Sequence, residues 1–133
     1  MATTMLPAST APDIAYLSLP VNADDGFPQS FRLAFNSQVY QLLFYVNIRE
    51  DVVAAAPDGF VFDLPAPGAF MVLRLSRESA AAPQVIFQRK LVANLAYTAA
   101  ELALRFTTLR VAKQNLNGAG SFGSQVVGGI AAR

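Results

Sequence analysis

Between residues 28 and 46 the chain alternates in a way that leaves it few folds. Phe31, Leu33 and Phe35 are separated by Arg32 and Ala34, the period of two that gives a strand one covered and one exposed face. Asn36 and Ser37 follow. Short polar side chains tolerate unusual backbone angles and bond their own backbone, so this pair predicts a tight turn. From Val39 to Val46 nearly every residue is apolar, which predicts a second strand covered on both faces. A dense series of further strands follows.

The first twelve residues are small, polar and proline-containing and predict a flexible N-terminal arm, 1–12. A short strand over 14–19 ends at Pro20, and Asp25 with Gly26 signals a turn. Residues 49–56 predict one or two helical turns, stopped by Pro57, Asp58 and Gly59. Residues 60–64 read either as a short strand or as a hydrophobic loop that docks on a neighbour. Strands are predicted over 69–76 and 84–93, with a turn at 77–83. Thr98 and Glu101 have the spacing of a capping box, and Leu102 and Phe106 lie four apart, which predicts a short helix over 98–106. Residues 107–112 return to β. Five glycines follow Asn115 and predict a flexible tail, 115–133. Its Phe122, Val126, Val127 and Ile130 are the apolar anchors by which it would order against a partner. The expected fold is mainly β, a small antiparallel β-barrel or sandwich with one short helix. It forms a single domain over 13–114, with an insertion at 47–68.

Charged residues are only 14% of the chain and apolar residues 53%. A freely solvated surface is usually about 25–35% charged, so much of this one is expected to be covered by other subunits. Mean hydropathy is positive, yet no run reaches the roughly 18–20 apolar residues that span a bilayer, and no membrane partner is expected. The N-terminus has no basic residue ahead of a hydrophobic segment, unlike a secretory signal. There is no cysteine, which fits assembly in a reducing cytosol. The charge is unevenly spread. Residues 1–60 carry two basic and six acidic side chains, a net of −4, and residues 61–133 carry eight and three, a net of +5. Such halves can pair within one molecule or between neighbours in a ring or stack.

Histidine is absent as well, which excludes Ser-His-Asp and Cys-His nucleophilic arrangements and makes a zinc site an unsuitable reading. Asp24 and Asp25 point to opposite sides of an extended chain and read as a solvated turn rather than a calcium loop. Gly118, Gly120 and Gly123 match the letters of a G-x-G-x-x-G pattern, but no strand–turn–helix unit surrounds them. The spacing of Glu50, Asp51, Asp58, Asp63, Glu78 and Glu101 does not favour a hydrolytic carboxylate pair. No catalytic, cofactor-binding or metal-binding residue is therefore predicted. Arg89 with Lys90, and Arg105, Arg110 and Lys113, are too few for a nucleic-acid interface and point to an acidic protein neighbour. Phe60 and Phe62, flanked by turn residues, are the best candidates for exposed anchors at an interface.

Taken in order, these elements resemble a family of phage proteins, the baseplate plug proteins of contractile-tailed phages. The resemblance lies in Leu17–Pro20, in Gln29, Ser30 and Phe31, in the Asn36-Ser37 turn and in Tyr40–Leu42. It continues through Phe70–Leu75, Val85–Phe87, Leu91 with Val92, the 98–106 segment and Leu109–Val111. It covers about residues 14–112 and is one of pattern and order. The resemblance implies a non-enzymatic structural part of the virion, a plug near the central hub and tube that helps hold or close the channel before contraction. It also implies other tail and baseplate proteins (hub, tube or spike) as partners, several copies in a ring or cluster, and assembly in the host cytoplasm. Another baseplate component, such as a hub, wedge or tube-connecting subunit, is the nearest alternative. A carbohydrate-binding adhesion module is a more distant one, disfavoured by the absence of Trp.

Overall fold

The computed structural model describes residues 15–118 and 120–133. The expected arm, 1–12, lies outside the described residues. Nine strands form two antiparallel sheets that face one another as a sandwich. In chain order the strands are β1 (Leu17–Ser18), β2 (Gln29–Phe35), β3 (Gln38–Ile48), β4 (Val61–Asp63), β5 (Ala69–Arg77), β6 (Gln84–Lys90), β7 (Ala96–Ala99), β8 (Leu102–Ala112) and β9 (Gln125–Ala132). Helix α1 (Glu50–Ala55) joins β3 to β4, and two short 3-10 turns cover Ala23–Asp25 and Lys113–Asn115. Sheet one runs β1-β9-β8-β4, with β7 pairing β8 beyond the end of β4; sheet two runs β2-β3-β5-β6.

The β2–β3 hairpin forms as its pattern predicts. Phe35 pairs with Gln38 across Asn36 and Ser37, whose φ angles are 51° and 65°. Positive φ at both central residues is the turn that matches the right-handed twist of the flanking strands. β3 lies between β2 and β5, yet only one of its faces is covered. Tyr40, Leu42 and Phe44 are buried, while Leu43 and Tyr45 on the other face are half-exposed. Both faces of a central strand can be apolar in sequence without both being sealed.

The two sheets meet through aromatic contacts. Phe44 on β3 meets Phe106 on β8 edge-on, with centroids 5.8 Å apart, and Phe87 on β6 meets Tyr97 on β7 at 5.5 Å. Such pairs add roughly 0.5–1.5 kcal/mol beyond their buried area. The Tyr97 hydroxyl donates to the Lys90 carbonyl (3.1 Å) and accepts from the Val92 amide (2.8 Å), tying sheet one to the end of β6. β8 changes face once. The ladder to β9 skips at Thr107, so Leu102, Leu104 and Phe106 before the bulge, and Leu109 and Val111 after it, are all buried.

The structure corrects further expectations. The one short helix is α1, and residues 98–106 are instead the β7–β8 hairpin, in which Ala99 pairs with Leu102 around Ala100 and Glu101. A spacing of four residues is one turn of a helix, but it is also two repeats of a strand, so Leu102 and Phe106 satisfied both. The intervening Leu104, fully buried with them, belongs only to the strand pattern. Nor is residue 115 the start of a flexible tail. β9 lies between β1 and β8 in the interior of sheet one, so the folded unit extends through residues 125–132. The insertion expected at 47–68 holds α1 and β4, and β4 is an integral edge of sheet one, pairing Val61, Phe62 and Asp63 with Ala112, Val111 and Arg110.

The loop ahead of β9 is closed by a buried polar clip. Asn115 is fully buried; its side-chain amide donates to the Gly120 carbonyl (2.6 Å) and its oxygen accepts from the Ser124 hydroxyl (2.6 Å). Ser124 Oγ in turn accepts from the Ala112 amide (2.7 Å). The glycines that resemble a phosphate cradle thus serve a loop held by side-chain amide chemistry.

Candidate interaction surfaces

The residues expected to meet partners fall into different parts of the fold. Val126 and Ile130 are core, 7% and 1% exposed, because they sit on the inner face of β9 opposite Leu109 and Leu104. They are not interface anchors. Val127, out of phase with them, is on the outer face and 40% exposed. Phe122 is 42% exposed in the loop before β9. Arg89 and Lys90 do not form one cationic patch, since neighbours on a strand point to opposite faces. Arg89 lies over the Tyr97 ring (5.8 Å) and Lys90 over the Phe70 ring (4.4 Å).

Phe60 and Phe62 lie where α1 meets β4. Pro57 and the Asp58-Gly59 turn stop the helix and redirect the chain, and the Phe60 carbonyl accepts from the Lys113 amide (2.8 Å). Phe62 then faces the core, 4% exposed, while Phe60 remains 43% exposed at the strand's entrance, its ring edge-on to Phe62 at 4.9 Å. Between α1 and β4 lies an apolar cleft of about 610 Å³, lined by Val52, Ala55, Pro57, Phe60 and Phe62 among others. None of the six residues of α1 is buried. A helix that short is marginal by itself, and its local support here is limited. Arg49 lies against Asp51 through two 3.0 Å hydrogen bonds, and the Arg49 amide donates to Gly68 (2.8 Å). The apolar cleft and a helix with no fully buried residue, only Val52 and Val53 of it half-buried, leave this corner an exposed apolar surface.

No protein family matches this chain, and neither does any curated protein or solved structure. What the surfaces can do is therefore argued from their own chemistry. Among the described residues no three carboxylates gather as a metal site would require, and no helix is long and apolar enough to cross a membrane.

The strongest polar cluster is structural and was not legible as a unit in the sequence. The hydroxyl of Tyr40, a residue only 1% exposed, donates to Glu101. Arg77 pairs with the same carboxylate and donates to Gln84 (2.9 Å). The Glu101 carbonyl accepts from the Arg133 amide (2.9 Å). One carboxylate in the β7–β8 turn thereby joins β3 and β5 of sheet two to sheet one. Arg77, and next to it Tyr40, hold Glu101 down to about 2 from an ordinary 4.5. Burial first, then Glu101, pushes Tyr40 up to about 12 from 10.0.

The signs give opposite limbs. A depressed carboxyl contributes stability above 4.5 that is lost as pH falls towards 2. A raised phenol contributes stability below 10.0 that is lost as pH rises towards 12. The urea midpoint should therefore fall at both ends of the pH scale. Glu101→Gln should flatten the acid limb between pH 4.5 and about 2. An acid limb equally steep in the variant would remove Glu101 as its source.

Proposed function

We propose that this chain is a non-enzymatic structural component of a phage contractile-tail baseplate, a plug near the central hub and tube that helps hold or close the channel before contraction. The observation that carries the assembly part of this reading is the α1–β4 corner, where an apolar cleft adjoins a helix that buries none of its residues. The order of elements supports the baseplate part. Leu17 and Ser18 form β1, Gln29–Phe31 open β2, Tyr40–Leu42 lie in β3, and the 70–75 and 85–87 segments form β5 and β6. The 98–106 segment departs from that order by being a hairpin. The partners are other tail and baseplate proteins, hub, tube or spike, and the site of action is the virion after assembly in the host cytoplasm.

Co-expression with the neighbouring tail proteins tests this directly. A stable mixed complex, and loss of that complex with Phe60→Asp, is the expected result. Phe60 is exposed and its ring touches Phe62 only at the edge, so the substitution should cost about 1 kcal/mol of stability or less while placing a charge in the cleft. A protein that joins no tail component, or a Phe60→Asp variant incorporated as well as the parent, would overturn the reading.

A further inference from the structure

The outer face of sheet two and the α1 corner carry opposite charge at opposite ends of one molecule. Across β2, β3 and β5 the outer face forms a shallow trough of about 720 Å³, with Gln41, Leu43, Arg74 and Ser76 along it and Arg32 and Val85 at its sides. Arg74 is exposed and takes part in no ion pair among the described residues. Arg32 grips Glu78 through two hydrogen bonds of 2.7 and 2.9 Å, and Lys90 lies beside this face over Phe70. At the trough Arg74 and Arg32 thus stand against one carboxylate, above a floor that includes the half-exposed Leu43, while Lys90 lies towards the end of the face where Phe70 pairs with Asn47.

Seven residues further along the chain from Leu43, roughly 20 Å at strand rise, α1 projects Glu50 and Asp51, and Asp58 and Asp63 flank it. The cations nearby are Arg49 and Lys113, facing Asp51 at 3.0 Å and Asp58 at 3.8 Å, and Arg110, which lies opposite Asp63 on the neighbouring strand. Both pairs are largely solvent-exposed on the acid side, so they hold the carboxylates weakly and leave them free to engage a second partner. The helix is about 9 Å long and presents its acidic first turn with unburied alanines behind it.

Neither surface can pack on its own copy without opposing like charges, whereas each complements the other. We propose that α1 of one copy docks in the Arg74 trough of the next, so that copies associate head to tail. This rests on the assembly reading above and specifies one contact within it. A contact of this kind is heterologous. It leaves one free helix and one free trough at every stage, and it closes only as a ring.

The experiment is light scattering of the purified full chain against concentration and salt, followed by charge reversal. The parent should exceed its 14.2 kDa monomer mass and fall back towards it as salt is raised, because exposed charges are screened. Arg74→Glu should be a folded monomer, and so should the double variant Glu50→Lys with Asp51→Lys. Mixing the two in equal amounts pairs the acidic helix of one variant with the intact trough of the other, and the reversed helix with the reversed trough, so association beyond the monomer should be restored. A parent that is monomeric at every concentration would overturn the proposal. So would variants that associate like the parent, or a mixture that stays monomeric. Capture of neighbouring tail proteins is scored separately, so the head-to-tail contact and the baseplate reading fail independently.

Discussion

Deleting residues 120–133 will leave an unfolded, aggregation-prone chain. β9 lies inside sheet one, hydrogen-bonded to β1 on one side and β8 on the other. Its removal strips β8 of a partner from Leu102 to Arg110 and leaves two-residue β1 with none. It takes Val126 and Ile130 out of the core, and the Leu19 amide loses its acceptor, the Gly128 carbonyl (2.9 Å). Losing one large buried aliphatic side chain alone costs roughly 2–5 kcal/mol, against a total stability of roughly 5–15 kcal/mol. Loss of the strand ladder as well exceeds what a domain of this size holds in reserve. Circular dichroism and a thermal melt of the truncated chain check this. A cooperative melt with native β content would contradict the placement of β9.

Gly128→Ala should be among the most damaging single-methyl changes. A Cβ at Gly128 would lie 2.9 Å from Phe106 Cγ and closer still to Cδ1. Phe106 has no room to yield, since it is fully buried and packed edge-on against Phe44. Overpacking of this kind typically costs about 1–3 kcal/mol; with the obstacle a rigid central ring, the upper end is expected, or roughly a 10 °C fall in Tm. Phe106→Leu introduced alongside should recover part of that loss, giving a non-additive cycle. Additive effects would show that Gly128 matters for some reason other than the ring. Gly129 faces the other way, where a Cβ would lie 2.6 Å from Tyr16 Cβ. The adjacent glycines therefore admit one aromatic residue on each face of β9.

That pair explains why the sequence of β9 has the look of a flexible tail. Glycine content predicts flexibility when backbone freedom is its only role, but Gly128 and Gly129 are there for close approach. The alternation that betrays the strand runs Val126, Gly128, Ile130, and its middle member has no side chain to register as apolar. The β2–β3 hairpin was legible because period and turn residues agreed. So was α1, because Pro57 and Gly59 bound it. The β7–β8 hairpin was hidden by Glu101, whose carboxylate reaches Tyr40 and Arg77 across the sandwich rather than a helix amide three residues back. The candidate surface was partly legible. Turn residues around Phe60 gave its exposure, but strand phase alone could not say that Phe62 would turn inward. Arg74 is legible in the sequence as part of the polar face of its strand, but the trough around it exists only once β2, β3 and β5 lie side by side.

The position of β9 also sets a schedule. Every other strand of sheet one is synthesised before residue 125, yet β1 and β8 can pair only through β9. During translation sheet two can form from residues 29–90, while β1 and one edge of β8 wait for a partner strand not yet made. The sandwich therefore closes after residue 132 has left the ribosome. The long-range pairing of Leu17 with Ile130 makes that final closure a slow, high-contact-order step. Nascent chains stalled before it are the species most exposed to chaperones and proteases.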